Sequence, residues 1–440
     1  MMKSVRVPVA IAALAALSAC GIFKGGDKKT PVLGQRVPIL AAETGIVADK
    51  TIADVAVVLP VAVVNADWAQ PGGNAAKSMG HLALTASPAR AWSVNIAGST
   101  GRARLAAAPV VAGGTLYVMD TDAVIHAFDA QNGAQKWRLS TSKGKENRNA
   151  AFGGGVSFDS GRLFATNGVG EVLAIDAAAG TEVWRVKPGG PLRGAPSVAG
   201  GNLYVLSQDN QMFALSQTDG AVIWQQSGTL ESQGVFGVAA PAVAQGTVVA
   251  GYSSGELGAY RYENGRSLWS DSLSRSTIST SVSSLADIDA EPVIDEGRVY
   301  AVGQGGRMAA IELASGQRLW EQNVAGISTP WVAGEWLFVV TDDARLIAIA
   351  RGTGKIRWLS QLRAWRDEKD KKGPISWTGP VLAGDRLWLV NSRGELVAVS
   401  PADGSVGTTI ELDGAASLGP VVANNMLYVL TDKGKLTAYR

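Results

Sequence analysis

Apolar and polar residues alternate in short runs along most of the chain, and turns that contain glycine separate these runs. In residues 109–137, PVVAGGTLYVMDTDAVIHAFDAQNGAQKW, side chains such as Val124, His126 and Phe128 follow the period of two that is typical of β-strands. The runs at 109–112, 115–119, 124–129 and 134–139 therefore predict four consecutive strands. Asn132-Gly133 predicts a type I′ hairpin turn before the fourth strand, because both residues tolerate positive φ.

This four-stranded unit recurs along the chain. Its last strand carries the motif Gly-x-x-x-Trp, with copies that begin at Gly133, Gly180, Gly220, Gly265, Gly316 and Gly354. A seventh copy, from Gly404 to Thr408, has lost its tryptophan. Seven tryptophans from Trp92 to Trp358 thus stand at one place per repeat, 38 to 51 residues apart, which is typical of β-propeller blades. We expect these tryptophans to pack between blades.

The two ends of the chain complete the count of blades. Eight units open with a short apolar run, but the last, from Pro420 to Arg440, ends after its third strand. At the other end, Trp92 lies in a fourth strand that has no first three. Pairing the Trp92 strand with the three C-terminal strands closes the ring and removes its exposed edges. The sequence therefore predicts an all-β, eight-bladed propeller of four-stranded blades over residues 81–440.

The alternating strand direction sorts the turns onto two faces. Short turns, first-to-second and third-to-fourth, share one face, and second-to-third turns share the other with the links between blades. The longest links are predicted at residues 140–152, 227–238, 270–291 and 359–378. Long loops on one face of a rigid scaffold are where binding usually occurs. Trp365, in the charged link at 359–378, is a candidate partner contact.

The N-terminal region is predicted to direct the chain to a membrane. Residues 1–19 have a basic start and a small-residue apolar run, as a secretory signal peptide does. Leu17-Ser18-Ala19-Cys20 resembles the lipobox of bacterial lipoproteins, and that resemblance implies a lipid on Cys20 and an outer-membrane destination. The alternative is an ordinary signal peptide with an incidental cysteine. Residues 20–80 are predicted to form a lipidated tether and an extended lead-in to the propeller.

Composition narrows the possible functions. The net charge is +2, without a dense basic cluster, which disfavours nucleic acid as a partner. A single cysteine excludes a disulfide within the chain and a thiolate metal cage. His81 and His126 have no partner at ligand spacing, so both are interpreted as structural and no metal site is predicted. Residues 251–255 match G-x-S-x-G, but a strand follows them where a nucleophile elbow needs a helix.

The tryptophan repeat, in forms such as AIDAAAGTEVW at 174–184, resembles that of the quinoprotein alcohol dehydrogenases. That resemblance implies a quinone cofactor, a calcium ion and an aspartate base. The chain is much shorter than those enzymes and lacks both their adjacent cysteine pair and a C-x-x-C-H haem motif. A quinone-binding periplasmic oxidoreductase, or a degenerate ligand-binding relative, is therefore kept as the alternative hypothesis.

A second resemblance covers nearly the whole chain. The lipobox, the tether and eight such blades look like the BamB family, the lipoprotein propellers of the outer-membrane β-barrel assembly (BAM) machinery. The resemblance implies a non-catalytic scaffold without a cofactor, anchored by lipid in the outer membrane and facing the periplasm. It implies binding to the periplasmic POTRA domains of the barrel protein BamA and contact with nascent outer-membrane proteins.

The same resemblance implies contact residues in two consecutive inter-blade links. One link carries a D-x-D before blade five, which Asp287 and Asp289 match in LADIDAEP. We expect these aspartates to lie on an exposed link and to accept hydrogen bonds from a basic patch; solvated or turn-capping carboxylates are the alternative. The link into blade four lacks the family's arginine, so Val235 or Phe236 is the candidate apolar anchor there. A literal Leu192-Arg193-Gly194 lies one blade earlier and supplies two weaker candidates, Leu192 and Arg193.

Overall fold

The computed structural model describes residues 46–143, 150–192, 194–229, 239–274 and 287–440. The described residues form eight four-stranded antiparallel sheets, one two-stranded hairpin and a short 3₁₀ helix at Lys50–Ile52. None of their helices is long and apolar enough to cross a membrane. Residues Ile46–Arg440 belong to one compact unit, so the lead-in is part of that unit from Ile46 onward.

Each sheet is one blade, and its strands follow one another from the axis to the rim. The first strand of the chain, β1 (Arg90–Asn95), belongs to the last blade. Blades 1 and 2 consist of β2 (Val110–Ala112), β3 (Thr115–Met119), β4 (Val124–Asp129), β5 (Gln135–Ser140), β6 (Val156–Asp159), β7 (Arg162–Thr166), β8 (Val172–Asp176) and β9 (Glu182–Val186). Blades 3 and 4 consist of β10 (Ser197–Ala199), β11 (Asn202–Leu206), β12 (Gln211–Ser216), β13 (Val222–Ser227), β14 (Ala242–Ala244), β15 (Thr247–Gly251), β16 (Glu256–Arg261) and β17 (Ser267–Ser272).

The second half repeats this order. Blades 5 and 6 consist of β18 (Val293–Asp295), β19 (Arg298–Gly303), β20 (Arg307–Glu312), β21 (Arg318–Gln322), β22 (Trp331–Ala333), β23 (Trp336–Val340), β24 (Arg345–Ala350) and β25 (Ile356–Gln361). A hairpin of β26 (Trp365–Asp367) and β27 (Lys372–Pro374) precedes blade 7, which consists of β28 (Trp377–Ala383), β29 (Arg386–Asn391), β30 (Glu395–Val399) and β31 (Val406–Glu411). Blade 8 consists of β32 (Val421–Ala423), β33 (Met426–Leu430), β34 (Lys435–Tyr439) and β1.

The predicted closure of the ring is confirmed. β1 pairs with β34, with Trp92 opposite Ala438. Beyond these strands, the backbone of Ala89 and that of Arg440 exchange two hydrogen bonds of 2.8 Å. The all-β, eight-bladed propeller with four-stranded blades is therefore confirmed, including the blade that both ends of the chain share.

The predicted type I′ turn at the third-to-fourth hairpin of blade 1 is wrong. Only Gly133 has positive φ, and its N–H donates to Asp129 O four residues earlier, which closes a larger loop. The Asp129 carboxylate accepts from the backbone N–H groups of Gln131 and Asn132. Side-chain capping by an aspartate replaces the tight turn that Asn-Gly favours on its own.

Tryptophan and glycine residues join neighbouring blades at seven of the eight interfaces, as the repeat predicts. The ring of each repeat tryptophan lies where a Cβ on the next blade's turn glycine would point, 2.5–2.9 Å from ring carbons. Each indole N–H also donates to a carbonyl three residues before that glycine, at 2.8–3.1 Å. The pairs are Trp92–Gly133, Trp137–Gly180, Trp184–Gly220, Trp224–Gly265, Trp269–Gly316, Trp320–Gly354 and Trp358–Gly404. Only glycine leaves room for the ring, so both residues recur together.

Apolar layers between the blades form the core. Five buried clusters each join two neighbouring blades, and the largest joins blades 6, 7, 8 and 1. Inner strands such as β2 are buried throughout, whereas the outermost strand β5 alternates between exposed and half-buried residues. Burial on both faces explains why the inner strands read as continuous apolar runs.

The lead-in encircles the axis on the short-turn face and contacts all eight blades in order. We call residues 65–82 the lead-in ring. Asn65 bonds to blade 8, and residues 68, 69, 70, 75, 76, 80 and 82 then bond to blades 1 to 7 in turn. In seven blades the partner on the inner strand is the equivalent residue: Val111, Phe158, Val198, Val243, Ile294, Leu382 and Val422. The lead-in ring thereby satisfies the axis-facing backbone groups that an inner edge strand leaves open.

Side-chain hydrogen bonds add to the contacts of the lead-in ring with blades 1, 3 and 6. The Gln70 amide donates to Val198 O at 3.1 Å and accepts from Val198 N at 2.9 Å, as a neighbouring strand would. Asp67 accepts from the N–H of Gly113 at 2.9 Å. The Trp331 indole of blade 6 donates to Gly80 O at 2.8 Å. The ring is therefore a specific part of the fold.

Candidate functional site

The two faces of the propeller differ in what covers them. The lead-in ring lies on the short-turn face. The opposite face, which we call the link face, carries the second-to-third turns and the links between blades. Three of the four long links predicted from the sequence include segments outside the described residues, so the link face is defined by their described stems and by the hairpin β26–β27.

Arginines on outermost strands hold the stems of two long links. Arg185 on β9 donates to Thr141 O at 2.7 Å, where the link into blade 2 begins, and it bridges Glu171 and Glu182. Its hydrogen bonds to Glu182 hold the pKa of that carboxyl at about 2, well below its usual range. Arg318 on β21 likewise donates to Ser272 O at 3.1 Å, at the start of the link into blade 5. Both stems are thus fixed by charge-assisted hydrogen bonds.

Asp287 occupies a backbone position that the links share. In seven blades, an N–H of the second-to-third turn donates to a link carbonyl at 2.7–3.5 Å. The accepting residues are Ala97, Ala151, Pro191, Asp287, Ala325, Ser376 and Ala415. Asp287 is the charged member of this set, and its carbonyl accepts from Gln304 at 2.9 Å. The next residue, Ile288, donates to Tyr252 O at 3.2 Å, so the link lies between the turns of blades 4 and 5.

The expectation that Asp287 and Asp289 lie on an exposed link is wrong. Asp287 is 1% exposed and Asp289 is 8% exposed. Ile288 between them is fully buried, and a Cβ at Gly251 would lie 2.4 Å from its Cγ2. The link is buried because Ile288 fills the space between the two turns. The link backbone also bonds to both neighbouring blades, through Asp287 O and Ile288 N. The two carboxylates therefore belong to the packed base of the link.

Leu192 stands at the equivalent place two blades earlier, in the link into blade 3. Pro191 O accepts from Gln208 N as Asp287 O does from Gln304 N, which aligns Leu192 with Ile288. Leu192 is buried and forms a β-bridge with Ser207. Its side chain packs between blades 2 and 3 and is not an exposed apolar anchor. Four other candidates, Arg193, Val235, Phe236 and Cys20, lie outside the described residues.

The segment predicted as the long link 359–378 is largely ordered secondary structure. Its start belongs to β25, its end to β28, and the middle is the hairpin β26–β27. The base of the hairpin is buried: the Trp377 indole donates to Arg363 O, and Ile375 N donates to Ala364 O, both at 2.9 Å. Trp365 is half-buried at the start of β26. The sequence feature that indicates this hairpin is the pair of short residue runs on either side of DEKDK, which become β26 and β27.

The tip of the hairpin carries an excess of positive charge. Residues 363–372 contain five basic and three acidic side chains, a net charge of +2. Residues 366–374 are exposed throughout. The Glu368 carboxylate accepts from the backbone N–H groups of Ala364 and Trp365, which orders the tip around the half-buried indole. The link face thus presents a projection with a half-buried indole and exposed basic side chains.

The donor set at the axis does not fit a quinone–calcium centre. Lys77 of the lead-in ring is buried and donates to Pro71 O at 2.8 Å and Ser197 Oγ at 3.1 Å. Its charge is balanced by Glu291, whose carboxylate also accepts from Ala240 N–H. Within the described residues, no three His, Cys, Asp or Glu side chains come together as a metal ion would require. His126 is bound to Asp120 at 2.7 Å, in a turn that Asp120 caps.

Eight four-stranded blades, joined by tryptophan–glycine contacts and closed by both termini, define a β-propeller of the quinoprotein-like repeat class. Within that class, the family model for the outer membrane protein assembly factor BamB matches residues 83–147, 122–360 and 362–440. The chain belongs to the BamB family.

Individual relatives agree with this assignment. BamB of Yersinia pestis is 26% identical over 358 residues, which cover 80% of this chain and 89% of that protein. BamB of Escherichia coli K12 is 26% identical over 351 residues, 79% of this chain and 87% of that protein. The crystal structure of BamB from Moraxella catarrhalis superposes with a TM-score of 0.69 at 19% identity, covering 80% of this chain and all of that one.

The fold is shared with enzymes as well. A europium-containing methanol dehydrogenase superposes with a TM-score of 0.68 at 14% identity, covering 85% of this chain and 98% of that one. At that identity the likeness shows the propeller fold alone. Family membership therefore rests on the sequence match.

Proposed function

We propose that this chain is a non-catalytic scaffold of the outer-membrane protein assembly machinery, which docks through its link face on the POTRA domains of BamA and assists insertion of β-barrel proteins. The observation that carries the proposal is the BamB family match, which extends over nearly the whole propeller. The curated relatives that match 79–80% of the chain are named as assembly factors.

We choose the link face as the docking surface because the two faces differ in which residues already occupy them. On the short-turn face, the lead-in ring already occupies the inner strands of all eight blades. The link face carries the exposed basic hairpin with Trp365 at its base. A half-buried tryptophan with charged neighbours suits a contact that combines an aromatic anchor with electrostatic orientation.

The link residues divide into supporting and contacting groups in this proposal. Asp287, Asp289 and Leu192 are buried and shape the links. Trp365 and the basic hairpin tip make direct contact, together with Val235, Phe236 and Arg193 as contacts proposed from the sequence. The arginine clamps at Arg185 and Arg318 hold link stems in place, which lowers the entropy lost when a partner binds.

A lipid on Cys20 would tether the propeller to the outer membrane, with the propeller in the periplasm. The compact unit begins at Ile46, so 25 residues separate it from the anchor at Cys20. Fully extended, such a segment spans at most about 90 Å. That reach lets the propeller dock on a membrane-embedded partner while it stays anchored.

The direct test is co-purification from membranes. Tagged full-length chain is solubilised in detergent, and BamA is measured in the eluate. Trp365→Ala combined with Lys371→Glu and Lys372→Glu should lower BamA recovery several-fold, because both the aromatic and the charged contact are removed. Tyr262→Ala is the matched control, since Tyr262 is a partly buried aromatic in a turn of the short-turn face. Equal recovery with the hairpin variant would place the contact elsewhere, and no recovery with the wild type would remove the proposed function.

A further inference from the structure

The segment that precedes the lead-in ring exposes valines along an extended backbone. Residues 55–66, VAVVLPVAVVNA, contain no charged side chain. Val57 and Leu59 pack against the core, whereas Val61, Val63 and Val64 are 87%, 63% and 52% exposed. Val47, Val55 and Val58 are exposed as well. Such a concentration of exposed apolar side chains marks an interaction surface.

The backbone around Val63 extends the sheet of blade 7. Leu82 is a parallel partner of Ala383 on β28, with Leu82 N donating to Leu382 O at 3.1 Å and Gly384 N donating to Leu82 O at 2.9 Å. Val63 is in turn a parallel partner of Leu82: its N–H donates to His81 O and its carbonyl accepts from Ala83 N, both at 2.9 Å. On the side of β28 that faces away from β29, the backbone of Leu82 is therefore the first neighbour and that of Val63 is the second.

The outer edge of this extension is open. In a strand paired on one side, alternate residues direct N–H and C=O toward the partner and the residues between them direct theirs away. Val63 uses both groups toward Leu82, so Ala62 and Val64 direct theirs outward. Across the described parts of the chain, no hydrogen bond is made by the backbone of Ala62 or Val64.

Hydrogen bonds at both ends of this edge fix its backbone conformation before any partner binds. His81 lies under it, with Nδ1 at 2.7 Å from Pro60 O and Nε2 accepting from Asp385 N at 3.1 Å. These two contacts set the Nδ1–H tautomer and connect the start of the edge to blade 7. Asn65 fixes the other end through Val422 O at 2.7 Å. The unpaired groups thus stand on a backbone that is anchored on both sides.

We infer that Ala62–Val64 is a docking edge for an extended β-strand of another polypeptide, namely a strand of an unfolded outer-membrane barrel protein. This rests on the proposed function, which supplies such strands as clients. Main-chain donors and acceptors on an open edge specify an extended chain as ligand. Exposed β-branched side chains beside them suit the apolar face of a transmembrane strand, which is likewise uncharged.

The edge lacks the features that normally prevent strand addition. Natural edges are guarded by lysines, prolines or bulges, and here Val61 to Val64 carry none of them. The edge lies on the short-turn face, away from the hairpin proposed to contact BamA. A client strand and the barrel protein could therefore be bound at the same time.

The test uses the full chain in detergent and a fluorescein-labelled peptide of about ten residues that alternates valine or phenylalanine with threonine, the pattern of a transmembrane strand. Fluorescence anisotropy should show saturable binding. Val61→Lys/Val64→Lys, which guards the edge, should weaken binding about tenfold or more. The control is Val183→Lys/Val222→Lys, at two exposed valines on the outermost strands of blades 2 and 3, and it should bind as the wild type does.

Hydrogen exchange then locates the peptide. The amides of Ala62 and Val64 should gain protection when the peptide is bound. Unchanged affinity in the guarded variant, or protection on the outermost blade strands, would overturn the inference. Concentration-dependent dimerisation that the guarded variant abolishes, without peptide binding, would assign the edge to a second copy and overturn it too. BamA is absent from this assay, so failure here leaves the co-purification result standing.

Discussion

The indole of Trp358 fills the space into which any side chain at Gly404 would point. A Cβ on Gly404 would lie 2.7 Å from Trp358 Cε3, and the indole N–H donates to Pro401 O at 2.9 Å. The same pair joins blade 8 to blade 1 as Trp92 and Gly133. At each of seven interfaces between blades, the same contact therefore buries an indole ring, satisfies its N–H with a hydrogen bond and uses a glycine to leave room for the ring.

The one interface without this pair has a topological reason. The tryptophan missing from blade 7 would stand at Thr408 and face the third-to-fourth turn of blade 8. Blade 8 has no such turn, because its third strand is the C-terminal β34 and its fourth strand is the N-terminal β1. The loss of tryptophan at Thr408 marks the point where the ring is closed by two chain ends.

Trp358→Ala should destabilise the propeller by about 3–5 kcal/mol, the usual cost of removing a buried tryptophan side chain. The free energy of unfolding from urea titrations measures this. Trp365→Ala serves as the control, because its indole is half-buried on the hairpin, and should cost less than about 1 kcal/mol. A loss of similar size in both variants would contradict the role assigned to the tryptophan–glycine contact.

Thr408→Trp should leave stability within about 0.5 kcal/mol of the wild type. Thr408 is exposed and has no turn glycine opposite it to receive a ring. Thermal unfolding monitored by circular dichroism is sufficient to compare the two proteins. A clear gain in stability would show that a tryptophan finds a receiving surface at the closure, and the topological reason for its loss would then be wrong.

Much of the ring was predictable from the sequence because every blade repeats the same residues. The copies of Gly-x-x-x-Trp specify blade number, and the unpaired Trp92 strand specifies closure. The turn at Gly133 was mispredicted because Asp129, which caps it, lies before the Asn-Gly pair. Local turn statistics do not include such a side-chain cap.

The lead-in ring and the burial of the link aspartates were not predictable. Residues 65–82 have no repeat and no clear period, because each bonds to a different blade. Asp287 and Asp289 look like exposed loop residues, and only the packing of Ile288 between two turns draws them inward. In both cases the deciding contacts are tertiary contacts with strands or turns of the blades, which the local sequence does not specify.

Lys77→Met should destabilise the protein by about 1–3 kcal/mol, because the carbonyl of Pro71 and the hydroxyl of Ser197 lose the donor that Lys77 supplies in either protonation state. Lys77→Met combined with Glu291→Gln should be at least as stable as the single variant, since a neutral amide replaces the carboxylate that Met leaves without a partner charge. Urea titrations of the two variants and the wild type provide the comparison. A single variant as stable as the wild type would contradict the role given to the Lys77 hydrogen bonds.

The contribution of Lys77 to stability should rise with pH above 8. Burial lowers the pKa of Lys77 to about 8 from its ordinary 10.5, against the opposing charge of Glu291. Between these values the unfolded chain binds more protons than the folded one, so this group's contribution to stability grows as pH rises, by up to about 3 kcal/mol. The free-energy difference between wild type and Lys77→Met/Glu291→Gln isolates this contribution. A difference that stays constant from pH 8 to 10.5 would contradict it.

The central claim is that the link face, and not the short-turn face, is the docking surface for BamA. Hydrogen exchange of the full chain in detergent, with and without the purified POTRA domains, measures this most directly. We predict protection of the amides in and around the hairpin β26–β27 and of the stems that Arg185 and Arg318 hold. The amides of the third-to-fourth turns, such as that at Gly404, should remain unchanged. Protection confined to the short-turn face would contradict the claim.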